Sequence, residues 1–168
     1  MQVQTDDAIV LTEKMIDAYP EDARLHFLRG SILAGAGRPI EAHASLSRAV
    51  ALAPDFALAR FQLGFFELTS GEAQRALATW EPLGALPDTA YLRRFAEGLA
   101  HLIRNEFVET VLALRSGIDA NEENLPLNND MQLIIDECEG LIGRPSAEAD
   151  EASATSLLLG QFGPGRTH

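Results

Sequence analysis

Four histidines, one cysteine and several acidic pairs are the residues of this chain whose types could carry out chemistry. The histidines follow none of the spacings that bring ligands to one metal ion, falling at positions His26, His43, His101 and His168. Cys138 is the single cysteine, with no base or elbow motif around it, so an intrachain disulfide and a multi-cysteine metal cluster are excluded. Acidic pairs such as Asp6 with Asp7 are explained by solvation and by pairing with a helix dipole. We therefore expect no metal, no cofactor and no enzymatic activity.

The composition is that of a globular chain with an acidic surface. The 168 residues are 46% hydrophobic and 23% charged, which favours one compact domain with a tail. Subtracting 25 acidic from 13 basic residues gives a net charge of -12, which repels phosphate backbones and anionic lipids. We therefore expect neither a nucleic acid nor a membrane partner. All basic residues except Lys14 are arginine, which we interpret as the genomic bias of a GC-rich bacterium.

The N-terminal sequence and the apolar runs predict the compartment. Acidic residues stand where a signal peptide would carry its positive region, so no export signal is expected. The longest apolar runs are far shorter than the roughly 20 residues that span a bilayer. We predict a cytoplasmic protein.

A step of 34 residues repeats through much of the chain, and the elements that must position any functional residue follow from it. Glycine, phenylalanine and alanine recur at this step, as Gly30, Gly64 and Gly98; Phe27, Phe61 and Phe95; and Ala8, Ala42 and Ala76. Two further columns hold a large apolar residue and a turn residue, as Leu46, Trp80 and Leu114; and Gly37, Gly71 and Asn105. Several columns in one register indicate a chain of equivalent supersecondary units.

Each unit is predicted to contain two antiparallel helices. The first has apolar residues at helical spacing and stops at Gly37 or Gly71, where a left-handed cap favours glycine. The second is rich in alanine and continues until a proline appears at or beyond the helix end. A glycine inside a helix costs about 1 kcal/mol relative to alanine, so the column that begins at Gly30 predicts a close approach of the two helices. We expect Ala42 and Ala76 to meet these glycines.

These residues make the chain similar to the tetratricopeptide repeat family. Residues 23–54 carry the pattern of the family as Gly30, Gly37, Ala42, Ala49 and Pro54. Residues 57–87 are a second copy, with Leu63, Gly64, Gly71, Ala76 and Trp80. Residues 91–118 form a degenerate third copy, which keeps Gly98 and Phe107 but has Thr110 in place of the small alanine. The resemblance implies an all-α fold, a right-handed α-solenoid of about three helix-turn-helix units with flanking helices at both ends.

We divide the chain into a repeat domain, residues 1–144, and a flexible linker with an apolar C-terminal tail, residues 145–168. The repeat domain is predicted to contain a lone helix at 5–20, repeats at about 23–56, 57–88 and 91–118, and an end helix at 129–143. The end helix would be capped by Asn128, Asn129 or Asp130. It would cover the last apolar face, as repeat arrays require, with Leu133, Ile134, Leu141 and Ile142.

The resemblance also implies a concave groove that the first helices of the units line. The residues expected there are large and apolar: Phe27, Leu58, Phe61, Phe65, Leu68, Leu92, Phe95, Leu99 and Leu102. The family's groove for acidic peptide C-termini uses Lys, Arg and Asn, which this chain lacks at those places. We therefore expect a protein or peptide partner with an apolar or amphipathic segment.

A rotated arrangement remains open beside the groove. Two columns that the family fills with large core residues hold polar ones here, namely His26, Arg60 and Arg94; and Leu33, Glu67 and His101. If the apolar seam is rotated, the phenylalanine column lies inside the core and the charges lie outside.

The function expected from these features is non-catalytic protein or peptide binding, as a scaffold, an adaptor or a chaperone-like module. The alternatives are structural self-association as a homodimer, and a regulatory subunit of a larger enzyme or secretion assembly. The tail carries an apolar cluster, Leu157, Leu158, Leu159 and Phe162. This cluster either docks on an apolar face of its own chain or of a second copy, or belongs to a disordered tail because glycine and proline surround it.

Overall fold

The computed structural model describes residues 2–143, 158–160 and 162 of the chain. This part of the chain is helical and contains no β-strand, which confirms the all-α prediction. The helices of the first two units and the N-terminal helix are α1 (Gln2–Ala18), α2 (Ala23–Gly35), α3 (Pro39–Leu52), α4 (Ala57–Thr69) and α5 (Ala73–Trp80). After a 3-10 helix (Glu81–Ala85) come α6 (Tyr91–Ile103), α7 (Phe107–Ala120) and α8 (Leu125–Ile142).

Helices that follow one another in sequence pack together as pairs. The pairs are α2 with α3, α4 with α5, and α6 with α7, so each pair corresponds to one unit of 34 residues. At the two ends, α1 packs on α2 and α8 packs on α7. Contacts of α3 with α4 and of α4 with α6 join neighbouring units. None of the helices in the described ranges is both long enough and apolar enough to cross a membrane.

The turn inside each unit has the same backbone geometry three times. Its left-handed residue is Gly37 (φ +73°), Gly71 (φ +88°) or Asn105 (φ +59°). In each unit the next amide donates a hydrogen bond to the carbonyl five residues back, from Arg38 to Leu33, from Glu72 to Glu67 and from Glu106 to His101. The left-handed cap predicted at Gly37 and Gly71 is therefore confirmed. Asparagine can take the third place because it tolerates this conformation better than most residues.

The close approach predicted at the glycine column is confirmed, but its partner is a different residue. The nearest side chains lie sixteen positions further on: Leu46 over Gly30, Trp80 over Gly64 and Leu114 over Gly98. An ideal Cβ on Gly30 would stand 2.8 Å from Leu46 Cγ, closer than real carbon atoms approach. The prediction that Ala42 and Ala76 meet the glycines is wrong, because a large side chain one turn further along the second helix fills that space.

The second helix of the middle unit is shorter than predicted. It ends at Trp80, and the chain continues as the 3-10 helix Glu81–Ala85. The cause is Pro82, which has no amide hydrogen to donate and whose ring collides with the preceding helical turn.

The end helix starts earlier than predicted, at Leu125, so the cap expected at residues 128–130 is wrong. Pro126 is compatible with the first turn of a helix, where an amide hydrogen would lack an intrahelical partner. The Asn121 side chain orders the turn before it, because its Oδ1 accepts hydrogen bonds from the amides of Glu123 and Asn124 at 3.2 and 2.9 Å. The N-terminal helix, expected at 5–20, runs over Gln2–Ala18.

The apolar interior has a large and a small part. The large cluster extends from α4 to α8 and also contains Leu158. The small one joins Ile9 of α1 to Leu33 and Ala42 of the first unit. Thr12, which interrupts the apolar column in α1, is buried with its hydroxyl donating to the Ile9 carbonyl at 2.7 Å.

Candidate binding face around Phe65

Most of the predicted groove residues lie inside the protein. Seven of the nine are buried in the large cluster: Phe61, Phe65, Leu68, Leu92, Phe95, Leu99 and Leu102. Phe27 and Leu58 are half-buried. The expectation of an open apolar groove at these positions is therefore corrected. The physical reason is that apolar residues of α8, such as Met131 and Ile135, and Leu158 of the tail belong to the same cluster.

Phe61 is the centre of an aromatic group that joins three helices. Its ring centroid lies 6.1 Å from that of Phe65, 6.1 Å from that of Trp80 and 6.0 Å from that of Phe95. The Trp80 indole also donates a hydrogen bond to the Phe61 carbonyl at 3.1 Å. Because Phe61 is completely buried among these rings, it serves the packing of α4, α5 and α6.

Phe65, one turn further along α4, contacts the C-terminal segment. Its ring meets the ring of Phe162 edge to face, with the centroids 5.6 Å apart and an interplanar angle of 68°. Leu158 is 5% exposed and belongs to the same cluster. Leu159 reaches the end of α4, since its Cδ2 lies 3.9 Å from an ideal Cβ on Gly71. The segment 158–162 thus covers α4 between Phe65 and the turn at Gly71.

Comparisons with family models, with curated proteins and with solved structures gave no match. The role of this face is therefore inferred from the residues of this chain alone. Three of the four apolar tail residues named from the sequence lie at the face, and Leu157 lies outside the described residues.

The first polar column ties each first helix to the turn before it. His26 Nε2 lies 2.8 Å from the Pro20 carbonyl oxygen. Arginine makes the equivalent bond in the other units, from Arg60 Nη2 to the Pro54 carbonyl at 3.1 Å and from Arg94 Nε to the Asp88 carbonyl at 2.7 Å. These side chains are half-buried while Phe61 and Phe95 are fully buried, which is the rotated arrangement at these positions.

Glu67 in the second polar column is a buried acid, 3% exposed, with three polar neighbours. Thr79 Oγ1 donates to Glu67 Oε1 at 2.5 Å, and His43 Nε2 lies 3.1 Å from Oε2. Arg75 Nε is 3.6 Å from the same Oε2. The carboxylate stands between the hydroxyl and the imidazole, so no hydrogen bond links His43 to Thr79 as activation of a threonine nucleophile would require. The group satisfies a buried charge and joins α3, α4 and α5.

Sequence reasoning missed this role of Glu67. The signal that could have indicated it was the acid itself, because the same column holds Leu33 in the first unit and therefore faces the interior.

Cys138 is buried in α8 and is a poor nucleophile. Burial, together with the neighbouring acids Glu137 and Glu139, raises the pKa of its thiol to about 12. The reactive thiolate is therefore scarce at neutral pH. Within residues 2–143, 158–160 and 162, no group of three or more His, Cys, Asp and Glu side chains could hold a metal ion.

Proposed function

We propose that this chain is a tetratricopeptide-like protein of the cytoplasm that binds other proteins without catalysis. Its binding face is the surface of α4 around Phe65, and its ligand is an apolar or amphipathic segment of the partner. The observation that supports this proposal is the contact of Phe65 with Phe162, because an apolar segment from outside the repeats already lies on that surface. The recurrence of turn and helix contacts at 34 residues supports the kinship with tetratricopeptide proteins.

The position of Phe65 is used differently in each unit. The equivalent residue is Ser31 in α2, which is exposed, and Leu99 in α6, which is fully buried. An aromatic side chain at this position is thus particular to the middle unit and is not needed for the helix pair as such. Residues that differ between otherwise equivalent units are candidates for function, because the shared packing does not require them.

Photo-crosslinking on α4 tests the proposal. Leu58 is half-buried and lies two helical turns before Phe65, so a photoreactive phenylalanine analogue fits there without entering the core. The matched control places the same analogue at Ile40 on α3, which is 85% exposed. In cells, we expect a covalent adduct with a discrete partner protein from position 58 and none from position 40. Adducts from neither position, or the same adducts from both, would contradict the proposal.

Self-association is the second candidate function, and an exposed apolar pair on α7 favours it. Val108 and Leu112 lie one helical turn apart and are more than half exposed. Light scattering during size-exclusion chromatography at micromolar concentration would detect a dimer, and Leu112→Glu would abolish it. A monomer at all concentrations would contradict this candidate.

A further inference from the structure

We propose that the partner of the Phe65 face is a short amphipathic helix with a leucine and an aromatic residue one turn apart, and that residues 158–162 act as its built-in competitor. This inference rests on the proposed function and specifies its ligand. It is carried by the contacts of Leu158 and Phe162 with the large cluster.

The seated segment displays its apolar residues on one side. Residues 158–160 and 162 are helical, so Leu158 and Phe162, four positions apart, lie one above the other on the same face. Leu158 is buried and the Phe162 ring contacts Phe65, while Leu159 is directed to the end of α4 near Gly71. The surface around Phe65 therefore accepts a leucine, a second aliphatic residue and a phenyl ring over a single helical turn.

The segment is too short to hold this face permanently. Helices below about 12 residues are marginal in water, so a stretch of five residues is helical only while it is in contact with the protein. A partner with the same apolar spacing on a longer helix brings its own helical stability and covers more of α4. The advantage of the segment is its covalent attachment to α8 through residues 144–157, which makes it an intramolecular ligand. Exchange with a partner therefore depends on partner concentration.

The charge of the protein restricts the flanks of the partner helix. A chain with a net charge of -12 repels an acidic helix and attracts one with neutral or basic flanks. The expected ligand is thus a helix that combines the Leu-x-x-x-Phe spacing with lysine or arginine on its other side.

The test uses the full chain and a fluorescent synthetic peptide with the sequence of residues 153–163, SATSLLLGQFG. Fluorescence polarisation measures its affinity for the unaltered protein and for the double variant Leu158→Ser with Phe162→Ala, whose own tail no longer competes. The variant is expected to bind the peptide at least tenfold more tightly. Ile40→Ala, at a position that the tail does not cover, is the matched control and should bind like the unaltered protein. A peptide in which both the leucine and the phenylalanine are replaced by serine should bind neither chain.

Equal affinity of the unaltered and the double-variant chain would overturn the competition, and absence of peptide binding to both would overturn the ligand. A dimer of the unaltered protein that Phe162→Ala dissolves would also overturn the proposal, because the segment would then exchange between two copies. Circular dichroism of each variant confirms that the helices are intact before binding is measured. Because crosslinking from Leu58 does not involve the peptide, a partner captured there without peptide binding removes this inference and leaves the proposed function standing.

Discussion

The contact between the two helices of a unit is made three times in this protein, whereas the described residues show the contact of Phe65 with the tail once. Leu46, Trp80 and Leu114 each fill the space over a glycine sixteen residues earlier. Phe162, in contrast, meets an aromatic ring that the neighbouring units do not carry at the equivalent position. A contact that every unit makes belongs to the fold. A contact that one unit makes is the place to look for function, and the two kinds should respond differently to mutation.

The largest effect is expected at Phe61, where the repeated packing and the aromatic group coincide. Phe61→Ala should lower the free energy of unfolding by about 3 to 5 kcal/mol, because it removes a fully buried ring between Phe65, Trp80 and Phe95. Phe27→Ala, at the equivalent but half-buried position of the first unit, is the matched control and should cost less than half as much. Denaturant unfolding measures both. If Phe61→Ala left stability unchanged, the residue would be a surface residue, as the groove hypothesis requires.

The next effect concerns the glycine column. A methyl group at Gly64 would overlap the Trp80 indole, so Gly64→Ala should destabilise the protein by about 1 to 3 kcal/mol. Gly140→Ala lies inside α8 with no atom within 4 Å of the new Cβ. That control should stabilise the protein by about 0.5 to 1 kcal/mol, since alanine is the better helix former. A similar response of both variants would remove the close contact from the account.

The turn column gives a smaller effect of the same kind. Gly71→Ala should lower stability by about 1 to 2 kcal/mol, because its φ of +88° is unfavourable for any residue with a Cβ. Asn105→Gly, at the equivalent turn, should change stability by less than about 0.5 kcal/mol, as most exposed substitutions do. Gly84→Ala, whose φ is not positive and whose surroundings are open, controls for the loss of a glycine. Thermal unfolding of the three variants would compare them, and equal melting temperatures of Gly71→Ala and Gly84→Ala would contradict the repeat of turn geometry.

The smallest effect on stability is expected in the tail. Phe162→Ala should lower the free energy of unfolding by less than about 1.5 kcal/mol, since it removes one edge-to-face pair at the margin of the cluster. Denaturant unfolding would show this beside Phe61→Ala. A loss as large as that of Phe61→Ala would mean that the tail is part of the core and cannot be exchanged for a partner.

Much of the fold could be predicted because its signals are local. Glycine at 37 and 71 indicated the left-handed turns, and the 34-residue step indicated the order of the helix pairs. Where a proline acted inside a segment, local rules were applied too late: Pro82 ended α5 early, and Pro126 allowed α8 to begin early.

The face of each helix could not be predicted because it depends on neighbours that are distant in sequence. Phe61 and Phe95 have the same spacing whether they line a groove or a core, and α8 belongs to the cluster that buries them. Glu67 shows the same limit from the polar side. Its burial is possible only because Thr79 and His43, on two other helices, lie within hydrogen-bond distance.

The measurement that tests the central claim most directly is NMR of the full chain at Leu158 and Phe162. The account predicts nuclear Overhauser contacts between the rings of Phe162 and Phe65, ring-current shifts of the Leu158 methyl groups, and a change of those shifts in Phe65→Leu. Random-coil shifts and fast picosecond-to-nanosecond motion from Leu158 to Phe162, unchanged by Phe65→Leu, would contradict it.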